Sequence, residues 1–396
     1  MDELVYPRER TLGILTLILG LVIWLVLIAG TFGGALLILM VGFVGYLFAQ
    51  SALIARIKGN GVELSEAQFP DLYAHFTACC ERLNIVKRPK AYIINGNGAL
   101  NAFATQFLGF QYVVLLSDVI DAMDRHAEGV RFYIGHELGH LRLRHISGHF
   151  FRWPALWLPI VGAAYARAKE SSCDRHGLAC CASPASAAHA LAALSSGAKR
   201  WAKLDPAAYI RQANENRGFW MSFHEIVAGY PWLTKRFARV MHIRAITPRR
   251  NGFAYLPALF VPYAGRLGAG FGFIVAVYLI GVGAAVAIPA YQAYQTLAFM
   301  QTVINETTTA RGTLTEYYAS SHQTPSSLGQ AGLPSSLPDG SSMSLSARTM
   351  QLTVHTHYGD LVFLPRANDT GQVVWSCTNG EGLKPAGVPK TCQHLN

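Results

Sequence analysis

Residues 12–30, LGILTLILGLVIWLVLIAG, carry no charged side chain, and a second apolar run follows at 35–55. About 20 helical residues at 1.5 Å each cross a hydrocarbon layer ~30 Å thick. Inside lipid the backbone has no water to bond, so such segments close their hydrogen bonds internally as helices. The first run is long for a signal peptide and lacks a clean small-residue cleavage site. Residues 1–57 therefore read as a transmembrane hairpin, with spans at about 12–30 and 35–55 and a turn at Gly30–Gly34. Arg8 and Arg10 precede the hairpin and Arg56 and Lys58 follow it, so both ends are expected in the cytoplasm.

A third apolar run, LGAGFGFIVAVYLIGVGAAVAIPA, occupies 267–290. Charged residues are 14% of the chain, against roughly 25% in a typical soluble protein. The net charge is +10, and much of it lies in Lys235, Arg236, Arg239, Arg244, Arg249, Arg250 and Arg266, just before this run. No Asp or Glu occurs between Glu225 and Glu306. The cluster reads as a cytoplasmic anchor beside anionic lipid. A nucleic-acid partner is set aside, because aromatics are not interleaved with the basic residues at a plausible groove. The third run is then expected to leave the cytoplasm and emerge outside. Trp153 to Ala166 is uncharged too, but it is short and interrupted by Pro154 and Pro159, which suits buried core or an interfacial segment. Cys79, Cys80, Cys173, Cys180 and Cys181 fall on the reducing side of this topology, and Cys377 and Cys392 on the side where a disulfide persists.

Between the membrane runs, Ser65 to Leu83 has the apolar spacing of an amphipathic helix, with Pro70 in its first turn. KAYIING, NAFATQF and YVVLLS read as strands, and Asp118 as the cap of a short helix, VIDAMDRH. Ser183-Pro184 starts a further helix that ends at Ser195–Gly197. His322 to Ser346 is rich in Ser, Gly and Pro and is expected to be loops joining short elements.

The helix FYIGHELGHLRLRH carries the chemistry. Residues i and i+4 share a helix face, so His136 and His140 can both offer an imidazole to one ion. Glu137 stands beside the first of them and can act as a base on a water that the ion activates. The bland alternative is a solvated histidine-rich face, since His145 and His149 follow. A third ligand decides between them, and Glu170, Asp174, His176 and His189 are the candidates downstream. Glu170 and Asp174 are themselves i and i+4 in ARAKESSCDRHG, so one can bind the metal while the other accepts a hydrogen bond from a ligating histidine. Taken alone they are two surface carboxylates beside Lys169 and Arg175; with HELGH upstream the metal site is favoured.

HELGH, ESSCD, YPWLTKR and NGNGALNAFATQFLG together resemble the M48 membrane-associated zinc metallopeptidases, over about Lys58 to Ile246. The resemblance implies one zinc ion on His136, His140 and Glu170, Glu137 as general base, Asp174 behind a histidine ligand, and a polypeptide substrate. It also implies a mainly helical, gluzincin-like fold with a small sheet, placed here at 58–250. Tyr230 precedes the proline where the family often has His, and the short spacing from His140 to Glu170 leaves no room for an extra transmembrane hairpin. Asn101, His224 and Arg236 are candidates for contacting substrate or the transition state. Against those roles stand a core strand for Asn101, a plain histidine for His224 and the basic membrane-facing cluster for Arg236.

The other end is of a different kind. AIPAYQAY after an apolar run, EYYASS farther on, and the final VVWSCTNGEGLKPAGVPKTC resemble type IV pilins, over about Gly270 to Cys392. That resemblance implies a long helix leading into an α+β domain at 291–396, closed by a Cys377–Cys392 disulfide and lying outside a bacterial inner membrane. Residues 251–290 would be linker and third span. Gly272 stands where pilins carry a glutamate, so a permanently anchored domain is expected rather than a processed subunit.

The whole chain is thus expected to be a multi-domain membrane protein: a hairpin, a cytoplasmic metallopeptidase domain, a third span and a pilin-like domain. Membrane lipids are expected partners, with envelope or pilus proteins reached through the C-terminal domain. A second reading stays open here: a non-catalytic interaction or structural protein of the envelope, acting through that domain.

Overall fold

The computed structural model describes residues 2–147, 150–215, 217–242, 248–263, 265, 268–368 and 371–393. His149, Arg244, Arg266 and Leu267 lie outside the described residues. The chain divides into two compact units, Met1–Val277 and Tyr278–Asn396.

The first unit begins with two helices, α1 (Pro7–Gly30) and α2 (Gly34–Asn60), both long and apolar enough to cross a membrane. The turn between them falls at residues 31–33, with Gly33 at φ 84°. A two-residue strand β1 (Val62–Glu63) leads to α3 (Pro70–Arg82). The helix starts later than the apolar spacing suggested, because a turn at Ser65–Gln68 and Phe69 at φ 58° precede Pro70. Strands β2 (Lys90–Ile94), β3 (Ala102–Phe107) and β4 (Phe110–Leu116) complete a sheet in the order β1-β2-β4-β3. β2 and β4 run parallel, and β3 pairs antiparallel with β4, so β3 forms one edge.

α4 (Ser117–Ala122) starts one residue before the expected cap. Asp118 lies in its first turn, where its carboxylate meets the positive end of the helix and accepts from the Ser117 hydroxyl at 3.3 Å. α5 (Glu128–Arg142) carries HELGH and is buried on nearly every side, from Val130 to Leu141. A helix placed in this way must pack all round, and α5 contacts α3, β3 and β4 as well as two later helices. The first of these later helices follows α6 (Trp153–Leu156), a single turn. The uncharged stretch breaks at Pro159 and Ile160, and α7 (Val161–Cys180) begins. α8 (Pro184–Ser196) is capped by Ser183, whose hydroxyl accepts from the Ser186 amide at 3.2 Å. The unit closes with α9 (Pro206–Gln212), α10 (Phe219–Val227), α11 (Leu233–Val240) and α12 (Tyr255–Ala258).

α5 and α7 are the pair that builds the site. A Cβ at Gly139 would lie 3.2 Å from Cys173 Cα, and one at Gly177 would lie 2.6 Å from the Phe132 carbonyl oxygen. Glycine at these places lets the two backbones approach, and side chains on α7 then reach the histidines of α5.

The basic cluster before the third apolar run corrects one expectation. Lys235 and Arg236 are buried, 4% and 7% exposed, and both are ion-paired within the unit. Lys235 Nζ lies 2.6 Å from Glu225 Oε2, and Arg250 lies 3.2 Å from Glu225 Oε1. A buried, paired cation is not available to a lipid surface, whereas Arg239 and Arg249 are exposed.

α13 (Gly268–Glu306) is 39 residues long and contains Pro289. In the second unit, Met300, Val303 and Ile304 near its end, with Ala310 and Leu314 of α14 (Thr308–Ser321), join a buried cluster with one face of an antiparallel sheet. The sheet is a meander of β5 (Ser342–Leu345), β6 (Leu352–Thr356), β7 (Gly359–Ala367) and β8 (Val373–Asn379). Trp375 donates its indole N–H to Thr315 at 3.0 Å, and the Arg311 guanidinium lies over the Phe363 ring at 5.0 Å. Exposed Ser344 and His355 and half-buried Asp360 form a cross-strand chain with 2.9 Å links, a sheet-stabilising arrangement.

Cys377 and Cys392 are disulfide-bonded across a sequence separation of 15, and the other five cysteines are free. Closing a loop of this size contributes about 3 kcal/mol by the chain-entropy estimate. Reduction is therefore expected to lower the unfolding midpoint of the second unit. Thiol labelling of the unfolded, unreduced protein should tag Cys79, Cys80, Cys173, Cys180 and Cys181 only.

Candidate metal centre

His136 and His140 project from one face of α5, and Glu170 approaches from α7. The carboxylate spans the two imidazoles: Glu170 Oε2 lies 3.3 Å from His136 Nε2, and Oε1 lies 3.7 Å from His140 Nε2. Two N or O ligands bound to one tetrahedral zinc at 2.0–2.1 Å stand about 3.3 Å apart. The two distances from Glu170 lie near that spacing, and imidazole and carboxylate are donor types that zinc takes.

The far side of His136 is held as well. Its Nδ1 lies 3.1 Å from Asp174 Oδ1. Arg236 reaches the same carboxylate with two bonds, Nε to Oδ2 at 2.9 Å and Nη2 to Oδ1 at 2.6 Å. Arg236 is thus not part of a lipid-facing patch; it braces Asp174 from α11 while also lining the cleft.

Electrostatics favour a cation between these groups. Burial works against charge on His136, but Asp174 and Glu170 on either side outweigh it and raise its pKa to about 10. Burial pushes Glu170 up, and its hydrogen bond to His136, with the nearby His140 and Arg236, brings it down to about 2. Asp174 is lowered in the same sense, chiefly by Arg236 against burial. Burial takes His140 well below the usual histidine range, which leaves it a neutral imidazole with a free lone pair. Arg236 compensates Asp174, which leaves the ionised Glu170 carboxylate beside the neutral His140 imidazole as donors toward a cation.

Cys173 is the neighbour that the motif did not announce. One potential ligand atom each from His136, His140 and Cys173 lies within 4.8 Å of the others. The Cys173 thiol, however, sits 3.6 Å from His145 Nδ1. That nitrogen faces His140 Nδ1, the ring edge that does not look at Glu170.

Glu137 is buried, 8% exposed, and lines a cleft of about 430 Å³ together with the three side chains above. Edge strand β3 borders this cleft through Ala102 and Ala104, with Asn101 just ahead of it. Asn101 is exposed and its carbonyl accepts from the Leu116 amide at 3.1 Å. Tyr46 and Gln50 of α2 also line the cleft. His224 lies elsewhere: it is exposed on α10, its ring 5.3 Å from that of Phe223.

A family model described as Peptidase family M48 matches residues 66–156. This segment holds His136, Glu137 and His140, and the match supports a metallopeptidase. Glu170, Asp174 and Arg236 lie beyond it, so their place in the site rests on geometry. No curated protein matches the chain.

Proposed function

We propose that this chain is a membrane-anchored, zinc-dependent endopeptidase, with His136, His140 and Glu170 holding the ion and Glu137 as general base. The observation that carries the reading is the Glu170 carboxylate set across the Nε2 atoms of both HELGH histidines. Bound there, zinc supplies Lewis acidity toward a water and a peptide carbonyl. Glu137 takes the proton from the attacking water and delivers it to the leaving amine. Asp174, braced by Arg236, fixes the His136 ring by accepting from Nδ1. The free edge of β3 beside the cleft suits pairing with an extended substrate backbone, for which Asn101 stands at the entrance. Cys173 is left out of the ligand set because it lies toward the opposite edge of His140.

The exposed basic residues flanking the hairpin, Arg8, Arg10, Arg56 and Lys58, support a cytoplasmic position for this unit, with the apolar part of α13 as a third span and the pilin-like unit beyond the membrane. A role in membrane-protein quality control or in envelope or pilus processing fits that arrangement. Gly272, in place of a bilayer carboxylate, supports a domain that stays attached. Tags on the two termini should run together in the membrane fraction, and a separate C-terminal fragment would overturn this part.

The test of the enzyme is direct. Purified full-length protein should hold about one zinc per chain and cleave an unstructured protein. Chelation should abolish cleavage and added zinc restore it. Zinc-free protein with undiminished cleavage would refute the assignment.

A further inference from the structure

Each imidazole in the centre has two ring nitrogens, and both are engaged. For His140, Nε2 faces Glu170 and Nδ1 faces Nδ1 of His145 at 3.1 Å. His145 is buried, 4% exposed, and its Nε2 lies 2.7 Å from Oε1 of Glu9. Glu9 is itself only 8% exposed, and its other oxygen accepts from the hydroxyl of Ser172, on α7 close to Glu170. The chain His140–His145–Glu9 thus starts at the candidate ligand and ends on α1, the first membrane helix.

The order of donors follows from the end of the chain. A carboxylate only accepts, so Glu9 accepts from the Nε2–H of His145. His145 Nδ1 is then an acceptor; it faces the Cys173 thiol, a weak donor, at 3.6 Å and His140 Nδ1 at 3.1 Å, and it accepts from the Nδ1–H of His140. The lone pair of His140 is left on Nε2, the nitrogen that looks toward Glu170. A histidine that ligates through Nε2 needs this tautomer, and a partner on the other nitrogen both selects it and orients the ring. His136 has such a partner in Asp174. His145 and Glu9 supply the equivalent for His140, in two links instead of one.

α1 is seated so that Glu9 can do this. Its buried residues, Glu9, Gly13, Thr16, Gly20 and Trp24, form one stripe along the helix. A Cβ at Gly20 would run into the Phe151 carbonyl oxygen. Trp24 donates to the Phe150 carbonyl at 3.0 Å, and the Tyr6 amide donates to Ser172 at 2.8 Å.

We propose that Glu9 and His145 are positioning residues of the metal centre, and that the first membrane helix completes that centre by holding His140 through its Nδ1. The proposal rests on His136, His140 and Glu170 being the ligands. Glu9 lies far outside residues 66–156, so the site depends on a side chain that the matched segment does not contain.

The test uses full-length protein in detergent, with zinc affinity measured by competition against a chromophoric chelator. Glu9→Ala and His145→Ala should bind zinc about 10–100-fold more weakly than wild type. Glu9→Gln keeps an acceptor oxygen of the same reach, so it should lose less than Glu9→Ala. The visible spectrum of the Co(II)-loaded Glu9→Gln protein should differ from that of wild type, a change that mere anchoring of α1 would not produce. Melting of the zinc-free proteins identifies any variant that fails to fold, in which case Glu9→Gln and its cobalt spectrum decide. Unchanged zinc affinity and an unchanged spectrum overturn the proposal. Failure of the wild-type chain to bind zinc would instead overturn the ligand assignment itself.

Discussion

Glu137→Gln is expected to keep its zinc and lose its activity. The amide is nearly the same size as the carboxylate, and Glu137 is not one of the three side chains that converge on the candidate ion position. Ligation by His136, His140 and Glu170 should therefore survive. What is lost is the atom that takes a proton, because a neutral amide oxygen is a poor base. General-base catalysis contributes typically 10²–10⁴-fold, so cleavage of an unstructured substrate should fall by about that factor at unchanged metal content. Zinc analysis and turnover on the same preparation check both halves. Full activity in this variant would mean that another group moves the proton.

Arg236→Ala is expected to destabilise the first unit strongly. Arg236 is 7% exposed and makes two bonds to Asp174. Removing one partner of a buried pair leaves the other charge uncompensated, at a cost of about 3–5 kcal/mol. Asp174 then also loses the brace that directs it at His136, so zinc affinity should fall by about 10–100-fold. The two consequences can be separated. Replacing both partners, as Arg236→Met with Asp174→Leu, removes the stranded charge and should recover much of the stability. Zinc affinity should stay low, since His136 still lacks its Nδ1 partner. A single variant that melts with wild type would show that the pair is not buried as described.

Legibility in the sequence followed sequence distance. His136 and His140 could be placed on one face because helical periodicity fixes what lies four residues away. Glu170 and Asp174 were readable for the same reason, as a second i, i+4 pair on another helix. The strands, the hairpin turn and the Ser183 cap likewise depend on short-range signals. The start of α3 was missed because a turn before Pro70 occupies residues that fit the apolar spacing. The bracing of Asp174 by Arg236 is not legible in this way. The neighbours Lys235 and Arg239 suggested a basic surface, whereas the partner of Arg236 stands 62 positions away in the chain.

The sequence by itself determined the local half of this protein: which segments are apolar enough to span a membrane, which helix presents two imidazoles, and which carboxylates share a face. Those properties depend on side-chain type and backbone period, and both are written in consecutive residues. The sequence offered Asp174 as an acceptor behind one histidine of HELGH; only the tertiary structure decided that this histidine is His136 and which further groups stand behind the pair. His136 is held through Asp174 by Arg236, and His140 through His145 by Glu9, a link spanning 136 positions. No periodicity encodes such pairs. They arise because α5, α7, α11 and the start of α1 pack into one buried volume, where each polar atom must find a partner or bear the cost of lost hydration.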